Sequence, residues 1–203
     1  MLHVAARALK YCAPLGICAA IAVGALYVTK STAQSNKEGR SQTTGVADSA
    51  NNASPIYGVA IPPGYRDWKV IAVAQLVTGK VDQLRAQLGN DIAIKAFKEG
   101  TLPFPDGTII AALHWNRVPS EDNNKVLAGP FPGAQSFVVG SAANAQFMVK
   151  DSKKYAATGG WGFADFKDGK PGDEALHQTC WPCHQPAKDR DFVFSHYVPT
   201  PGL

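Results

Sequence analysis

Apolar stretches with partial alternation, separated by short polar segments, recur along most of the chain. β-branched and aliphatic residues with this pattern predict a strand over residues 68–77. The same criteria predict five further strands, over residues 108–115, 136–140, 146–150, 161–166 and 191–198. Strands therefore follow one another directly for most of this length.

Short helices are predicted where a capping residue precedes a few helix-compatible positions. Asn90 and Asp91 can cap a helix that runs to Glu99, and Gly100 is suited to end it. Two more helical turns are predicted after Asp151 and Asp173, and residues 170–172 are predicted to be a loop. Few short helices beside successive strands predict the α+β class, a mainly antiparallel β-sheet with short peripheral helices, in a domain of residues 55–203.

The first 33 residues have the pattern of a targeting segment. Arg7 and Lys10 precede residues 11–28, which carry no charge, and Ser31 and Ala33 are small residues at signal-peptidase spacing. Residues 1–33 are therefore predicted to be a signal peptide. Because the apolar run approaches the length of a membrane span, an N-terminal membrane anchor at residues 11–28 is the alternative. Both predict export of the remainder to the periplasm.

Composition and charge predict a linker after the leader and give no indication of a nucleic-acid partner. Residues 34–54 are rich in Ser, Thr, Asn, Gln, Ala and Gly, which predicts a flexible linker. The net charge of +4 comes mostly from the leader, where three basic residues and no acidic residue precede position 34. Since the rest is nearly neutral, nothing in the charge pattern indicates a nucleic-acid partner.

Two of the four cysteines form the motif that carries chemistry. Cys12 and Cys18 lie in the leader, so the exported part holds only Cys180 and Cys183. With His184 they give the pattern C-x-x-C-H. Two thiols at this spacing can add to the two vinyl groups of one haem, and the histidine is then placed to bind the iron. We therefore predict one covalent haem c held by Cys180 and Cys183, with His184 as the metal ligand.

Other chemistries use similar patterns. A thiol–disulfide oxidoreductase carries a related C-x-P-C motif, but only twenty residues follow Cys183, too few to build that fold around it. A structural zinc site from His177, Cys180, Cys183 and His196 has possible spacings but leaves His184 unexplained.

A second protein ligand to the iron has few candidates in the exported part. His114 and His196 lie on predicted strands, where a structural role is more common. Met148 lies between Phe147 and Val149, a pattern typical of core packing. We therefore expect His184 to be the one axial ligand, leaving the other side of the iron open.

The order of short blocks around the motif resembles the cytochrome P-460 family, which includes the cytochromes c′-β. The likeness spans residues 64–199 and rests on these blocks: YRDW at 65–68, FPDGT at 104–108, VKDSKKY at 149–155, WGF at 161–163, and DFVF at 191–194. The resemblance implies a mainly antiparallel β fold, a homodimer and one high-spin haem per subunit.

Family members that oxidise hydroxylamine carry a lysine cross-linked to the haem edge. The resemblance places that lysine on the strand after Asp106-Gly107-Thr108, where this chain has the apolar run IIAAL at residues 109–113. Lys95 and Lys98 lie earlier, on a predicted helix, and are expected to be solvated. This departure favours the cytochromes c′-β, whose apolar distal pocket binds nitric oxide or carbon monoxide.

The expected function is thus a periplasmic mono-haem c-type cytochrome that binds a small diatomic gas, chiefly nitric oxide, at a five-coordinate iron. An oxidoreductase acting on hydroxylamine or a related nitrogen compound, and a simple electron-transfer cytochrome, are the alternatives. A periplasmic redox partner is expected in each case. Residues 109–113 are expected to form an apolar wall without hydrogen-bond donors, with Phe137, Phe147, Trp161 and Phe163 as further candidate wall residues.

Overall fold

A computed structural model describes residues 52–198, and the predicted leader, most of the linker and the last five residues lie outside this range. The described residues form one six-stranded antiparallel sheet in which each strand pairs with its neighbours in sequence. The strands are β1 (Lys69–Val77), β2 (Asp82–Gly89), β3 (Ile109–Pro119), β4 (Phe137–Lys150), β5 (Trp161–Lys167) and β6 (Lys170–Pro171).

The helices are short and lie between or after the strands. The α-helices are α1 (Asp91–Glu99), α2 (Glu121–Leu127), α3 (Glu174–Gln178) and α4 (Cys180–His184). Three 3₁₀ segments are Tyr65–Asp67, Ala156–Thr158 and Gln185–Arg190. This arrangement confirms the predicted α+β class. Among residues 52–198, none of the helices has the length and apolarity needed to cross a membrane.

Helix α1 begins and ends where its capping residues predict. The Asn90 side chain accepts a hydrogen bond from the Ala93 amide at 2.9 Å, and Gly100 ends the helix with φ +64°. The same Asn90 oxygen also accepts from the Ile109 amide at 3.2 Å. One side chain therefore caps the helix and attaches it to the start of β3.

Strand β2 is missing from the sequence-based prediction. Its residues, DQLRAQLG, include no β-branched side chain, so their intrinsic preference for a strand is low. They are nevertheless paired with β1 on one side and β3 on the other. Leu84, Ala86 and Leu88 lie on one face and Gln83, Arg85 and Gln87 on the other, so tertiary pairing outweighs propensity here.

Three other predicted elements are wrong. The two short strands predicted at residues 136–140 and 146–150 are one continuous strand, β4. The pairing of β3 with β4 shifts register around Trp115, where β3 faces the small central residues of β4. Residues 170–171 are not loop but pair with β5 as β6. Residues 191–198 are not a strand, because Asp191 and Phe192 adopt left-handed conformations with φ +50° and +66°.

The two faces of the sheet have different roles. Residues directly opposite one another on neighbouring strands share a face, so Ala111, Phe147 and Ala164 form one buried row. Tyr65 covers this row, with its ring 5.2 Å from that of Phe147. On the other face lie Gln87, Ala112, Gln146 and Asp165, and beside them Arg85, His114 and Asn144. That second face is the one turned toward the cysteine motif.

Candidate haem site

His177 attaches the helices of the motif to the sheet. The side chain is fully buried, its Nδ1 donates to the Asp173 carbonyl at 2.7 Å, and its Nε2 accepts from the Asp165 amide of β5 at 3.1 Å. Strand β6 pairs with Phe166 and Lys167 but does not extend far enough to accept a hydrogen bond from the Asp165 amide. The His177 imidazole accepts that hydrogen bond instead. Asp173 also caps α3 through the Leu176 amide at 2.8 Å.

Because both ring nitrogens of His177 are used, this residue is not free to bind zinc as the sequence alternative required. In residues 52–198, no cluster of three or more His, Cys, Asp or Glu side chains is arranged to hold a metal ion. His196 lies at the surface, where it contacts Arg190.

The three predicted site residues lie together on one side of a cavity of about 380 Å³. Cys180, Cys183 and His184 come from α4, and strands β2 to β5 supply most of the remaining lining. Both cysteines are free, with Cys180 half-buried and Cys183 exposed. The cavity thus places the thiols and the imidazole around one space, as attachment of a single haem requires.

His184 has one nitrogen fixed and one available. Its Nδ1 lies 2.8 Å from the Phe192 carbonyl, and since a carbonyl only accepts, Nδ1 carries the proton and donates. The rings of Phe163 and Phe194 lie 4.9 and 5.2 Å from the imidazole and hold its orientation. Burial lowers the pKa of His184, against the opposing effect of its hydrogen bond to Phe192. The result is a neutral imidazole whose Nε2 lone pair can bind iron.

The environment of Cys180 opposes the thiol–disulfide alternative. Burial, followed by the nearby Asp165 charge, raises the pKa of Cys180 to about 11. Oxidoreductase cysteines instead have a lowered pKa, because the thiolate is their nucleophile. Cys180 is therefore suited to remain a neutral thiol until it is modified.

One part of the cavity wall is polar. Asp165 accepts hydrogen bonds from the side-chain amides of Asn144 and Gln146, both at 2.7 Å, and the Asn144 oxygen lies 2.8 Å from His114 Nδ1. This network spans β3, β4 and β5. Burial and the Arg85 charge lower the pKa of His114 to about 4, so it is neutral at pH 7.

Two further polar atoms at this wall are buried without a hydrogen-bond partner in the described part of the chain, Arg85 Nε and Gln87 Oε1. An unpaired buried donor and acceptor are costly, so their presence beside a cavity fits a site that a polar group completes. The cavity, the paired thiols, the available Nε2 and these atoms together fit a haem. When bound, that group would supply an iron centre for ligand binding or electron transfer.

The expectation of an apolar wall without donors is wrong for the cavity as a whole. Of residues 109–113, Ile110 and Ala112 line it, but strands β2 and β4 add Arg85, Gln87 and Gln146 to the same face. The register between neighbouring strands places these polar side chains beside the apolar residues of β3, so the sequence of β3 alone cannot predict them.

Of the four aromatic candidates, Phe163 lies on the cavity face of the sheet and lines the cavity. Phe147 adjoins the cavity, but its side chain belongs to the buried row on the other face, against Tyr65. Trp161 is fully buried and packs edge-on against Phe104 instead. Phe137 lies under the Arg117 guanidinium, which is 3.7 Å from its ring centre. Lys95 and Lys98 are exposed on α1 and do not line the cavity.

Two residues given structural roles by sequence reasoning also line the cavity. Met148, expected in the core, is only half-buried there, and His114 is 3 % exposed with its Nδ1 bonded to Asn144. Both line the same cavity as His184 and are therefore candidate second ligands to the iron.

Comparison with known proteins agrees with this geometry. The cytochrome P460 family matches residues 62–195, a range that includes the six strands of the described residues and the complete cysteine motif. A search of curated proteins found no match. Since the family match covers more than half of the chain, this protein belongs to the cytochrome P460 family and is a haem cytochrome.

Proposed function

We propose that the protein is a periplasmic mono-haem c-type cytochrome that binds a small diatomic gas, chiefly nitric oxide, at a five-coordinate iron. The observation that carries this proposal is His184, whose Nε2 is available while its Nδ1 is fixed by the Phe192 carbonyl. Cys180 and Cys183 flank the same cavity at the spacing for two thioether bonds.

The apolar part of the cavity supports a neutral diatomic ligand. The apolar residues of its lining include Ile110, Ala112, Phe163 and Val193. A neutral ligand entering this region needs no counter-charge, whereas an ion would lose hydration without compensation.

The polar part of the cavity favours a second candidate, an oxidoreductase acting on hydroxylamine or a related nitrogen compound. Arg85, Gln87 and Gln146 supply polar side-chain groups to this part of the lining, which suits a ligand that both donates and accepts hydrogen bonds. This candidate lacks the lysine that the family resemblance associates with hydroxylamine oxidation, since residues 109–113 are all apolar.

A simple electron-transfer role is the remaining candidate. It would normally need a second axial ligand, for which Met148 and His114 are the cavity residues available. In that case replacing the ligand would change the iron from low spin to high spin.

Visible and electron paramagnetic resonance spectra of the purified holoprotein test these functions together. The proposal expects high-spin ferric iron and a ferrous form that binds nitric oxide and carbon monoxide, with weak hydroxylamine turnover. A low-spin wild type that becomes high-spin in His114→Ala or Met148→Ala would instead establish electron transfer. A haem peptide containing a lysine from another segment, with rapid hydroxylamine turnover, would establish the enzyme.

Covalent attachment is tested separately. Denatured wild-type protein should retain its haem, and the double variant Cys180→Ala, Cys183→Ala should release it. Thr179→Ala is the control, because Thr179 lines the same cavity next to Cys180 but carries no thiol. Bound zinc and no iron, in protein made with haem-maturation machinery, would contradict the proposal.

The proposed function also includes export to the periplasm and a redox partner in that compartment. The pattern of residues 1–33 supports delivery to the periplasm, where covalent haem is attached and where the redox partner would be found. A reporter fused after residue 203 should be active outside the cytoplasm. Comparison of its mass and membrane association with a fusion lacking residues 1–33 distinguishes a cleaved signal from a retained anchor.

A further inference from the structure

The segment directly after the cysteine motif has an unusual backbone. Asp191 and Phe192 are consecutive residues with φ +50° and +66°, in the left-handed region that favours glycine. Asp tolerates this conformation, but a bulky residue such as Phe normally avoids it. Such a conformation persists only where the surrounding structure fixes it, so the contacts of these two residues are informative.

A buried ion pair fixes Asp191. Both of its carboxylate oxygens lie 2.8 Å from Lys150 Nζ, and the two side chains are 8 % and 5 % exposed. One oxygen also accepts from the Phe104 amide at 2.8 Å, and Lys150 Nζ donates to the Gly159 carbonyl at 3.0 Å. Removing one member of such a pair leaves an uncompensated buried charge, so the pair acts as a unit.

The Phe192 ring is fixed as well. It lies 4.7 Å from the Trp181 ring of the motif, and it occupies the space that a side chain at Gly159 would need. Lys150 is the last residue of β4, with its backbone bonded to Thr108 and Gly107. The turn is thus attached to the sheet at Lys150 and to the motif at Trp181.

The carbonyl that this turn presents is the one that accepts from His184 Nδ1 at 2.8 Å. We propose that Lys150 and Asp191 are positioning residues for the iron ligand: their ion pair fixes the Phe192 carbonyl and thereby the direction and electron-donating strength of His184 Nε2. Neither residue lines the cavity, so neither would touch a ligand of the iron. This inference rests on the proposed binding of haem iron by His184.

The test compares three holoprotein variants with the wild type. Asp191→Asn removes the charge with little change in shape, and the double variant Lys150→Met, Asp191→Asn leaves no unpaired buried charge. Asp82→Asn is the matched control, since Asp82 pairs with Arg117 elsewhere in the same sheet. The readouts are the iron–histidine stretching band of the ferrous protein, the ferric electron paramagnetic resonance g values and the reduction potential.

We expect the two Asp191 variants to show a lower and broader iron–histidine band, dispersed g values and a higher potential. A weaker hydrogen bond at Nδ1 makes the imidazole a poorer donor and favours ferrous iron. Asp82→Asn should match the wild type. The inference is overturned if the double variant is folded, by its thermal transition, and keeps the wild-type band, g values and potential. If His184→Gly leaves the wild-type spectrum unchanged, His184 is not the ligand, and the proposed function fails first.

Discussion

At the scale of single residues, the hydrogen bonds of two histidine rings determine which ring nitrogen can bind iron. His184 and His114 are both neutral and both have Nδ1 hydrogen-bonded, one to a backbone carbonyl and one to an amide side chain. They line one cavity, His184 from the helix that carries the two cysteines and His114 from strand β3.

His184→Gly should remove the axial ligand while the haem stays attached through its thioethers. We expect the Soret band to shift and added imidazole to restore the wild-type spectrum, because the glycine leaves room for a free ligand. The measurement is visible absorption during an imidazole titration. His196→Gly is the control, since His196 is exposed and does not line the cavity, and it should leave the spectrum unchanged.

His114 should make stability depend on pH. Its pKa is about 4 in the folded state and 6.5 when unperturbed, so between these values the unfolded chain binds more protons. The free energy of unfolding should therefore fall as pH drops from 6.5 to 4, by at most about 3 kcal/mol from this residue.

Urea unfolding at a series of pH values, for wild type and His114→Gln, measures this contribution. Glutamine can keep a hydrogen bond to Asn144 but does not titrate in this range. The difference in unfolding free energy between the two proteins should change across pH 6.5 to 4. A difference that stays constant over that range would contradict the prediction.

At the scale of elements, the turn before β5 packs against the segment that orients His184. Gly159 and Gly160 end the 3₁₀ segment before β5 with φ +64° and +83°. A Cβ on Gly159 would lie 2.3 Å from the Phe192 ring. This turn therefore combines a left-handed backbone with close packing against the residue that orients His184.

Gly159→Ala should lower the free energy of unfolding by about 2–4 kcal/mol, from backbone strain and overpacking together. Gly100→Ala is the matched control, because Gly100 has the same φ of +64° but no atom within 4 Å of an added Cβ. The control should lose only about 1 kcal/mol. Equal losses in urea unfolding would mean that the contact with Phe192 is unimportant.

At the scale of the whole molecule, the sheet has an uncovered apolar area on the face away from the haem cavity. It is a depression of about 460 Å³ lined by Val73, Leu84, Ala86, Trp115 and Val139. Val73 is 69 % exposed and Val139 53 %. Apolar surface of this kind commonly marks an interface, and the homodimer expected from the family resemblance is the proposed occupant.

Val73→Asp should weaken that dimer at least about tenfold, because an unpaired carboxylate would be buried in an apolar contact. Val126→Asp is the control: Val126 is 73 % exposed but lies on α2, outside the depression. Analytical ultracentrifugation of the holoprotein measures both. A wild type that is monomeric at micromolar concentration would contradict the homodimer.

The sequence by itself determined the elements whose signals are local. The C-x-x-C-H spacing, the Asn90 cap with Gly100 after α1, and the alternation of large apolar with small or polar residues in β5 each depend on residues close together in the chain. For the same reason the sequence predicts Cys180, Cys183 and His184 as the site residues, and the order of the motif blocks indicates the family that the family match confirms.

Only the tertiary structure decided what surrounds those residues. Strand β2 forms through pairing on both sides despite weak propensity, and its register places Arg85 and Gln87 in the cavity wall. Asp191 and Phe192 form a strained turn rather than the start of a strand, and a lysine 41 positions away fixes Asp191. Cross-strand register and buried charge pairs join residues distant in sequence, so no local pattern records them.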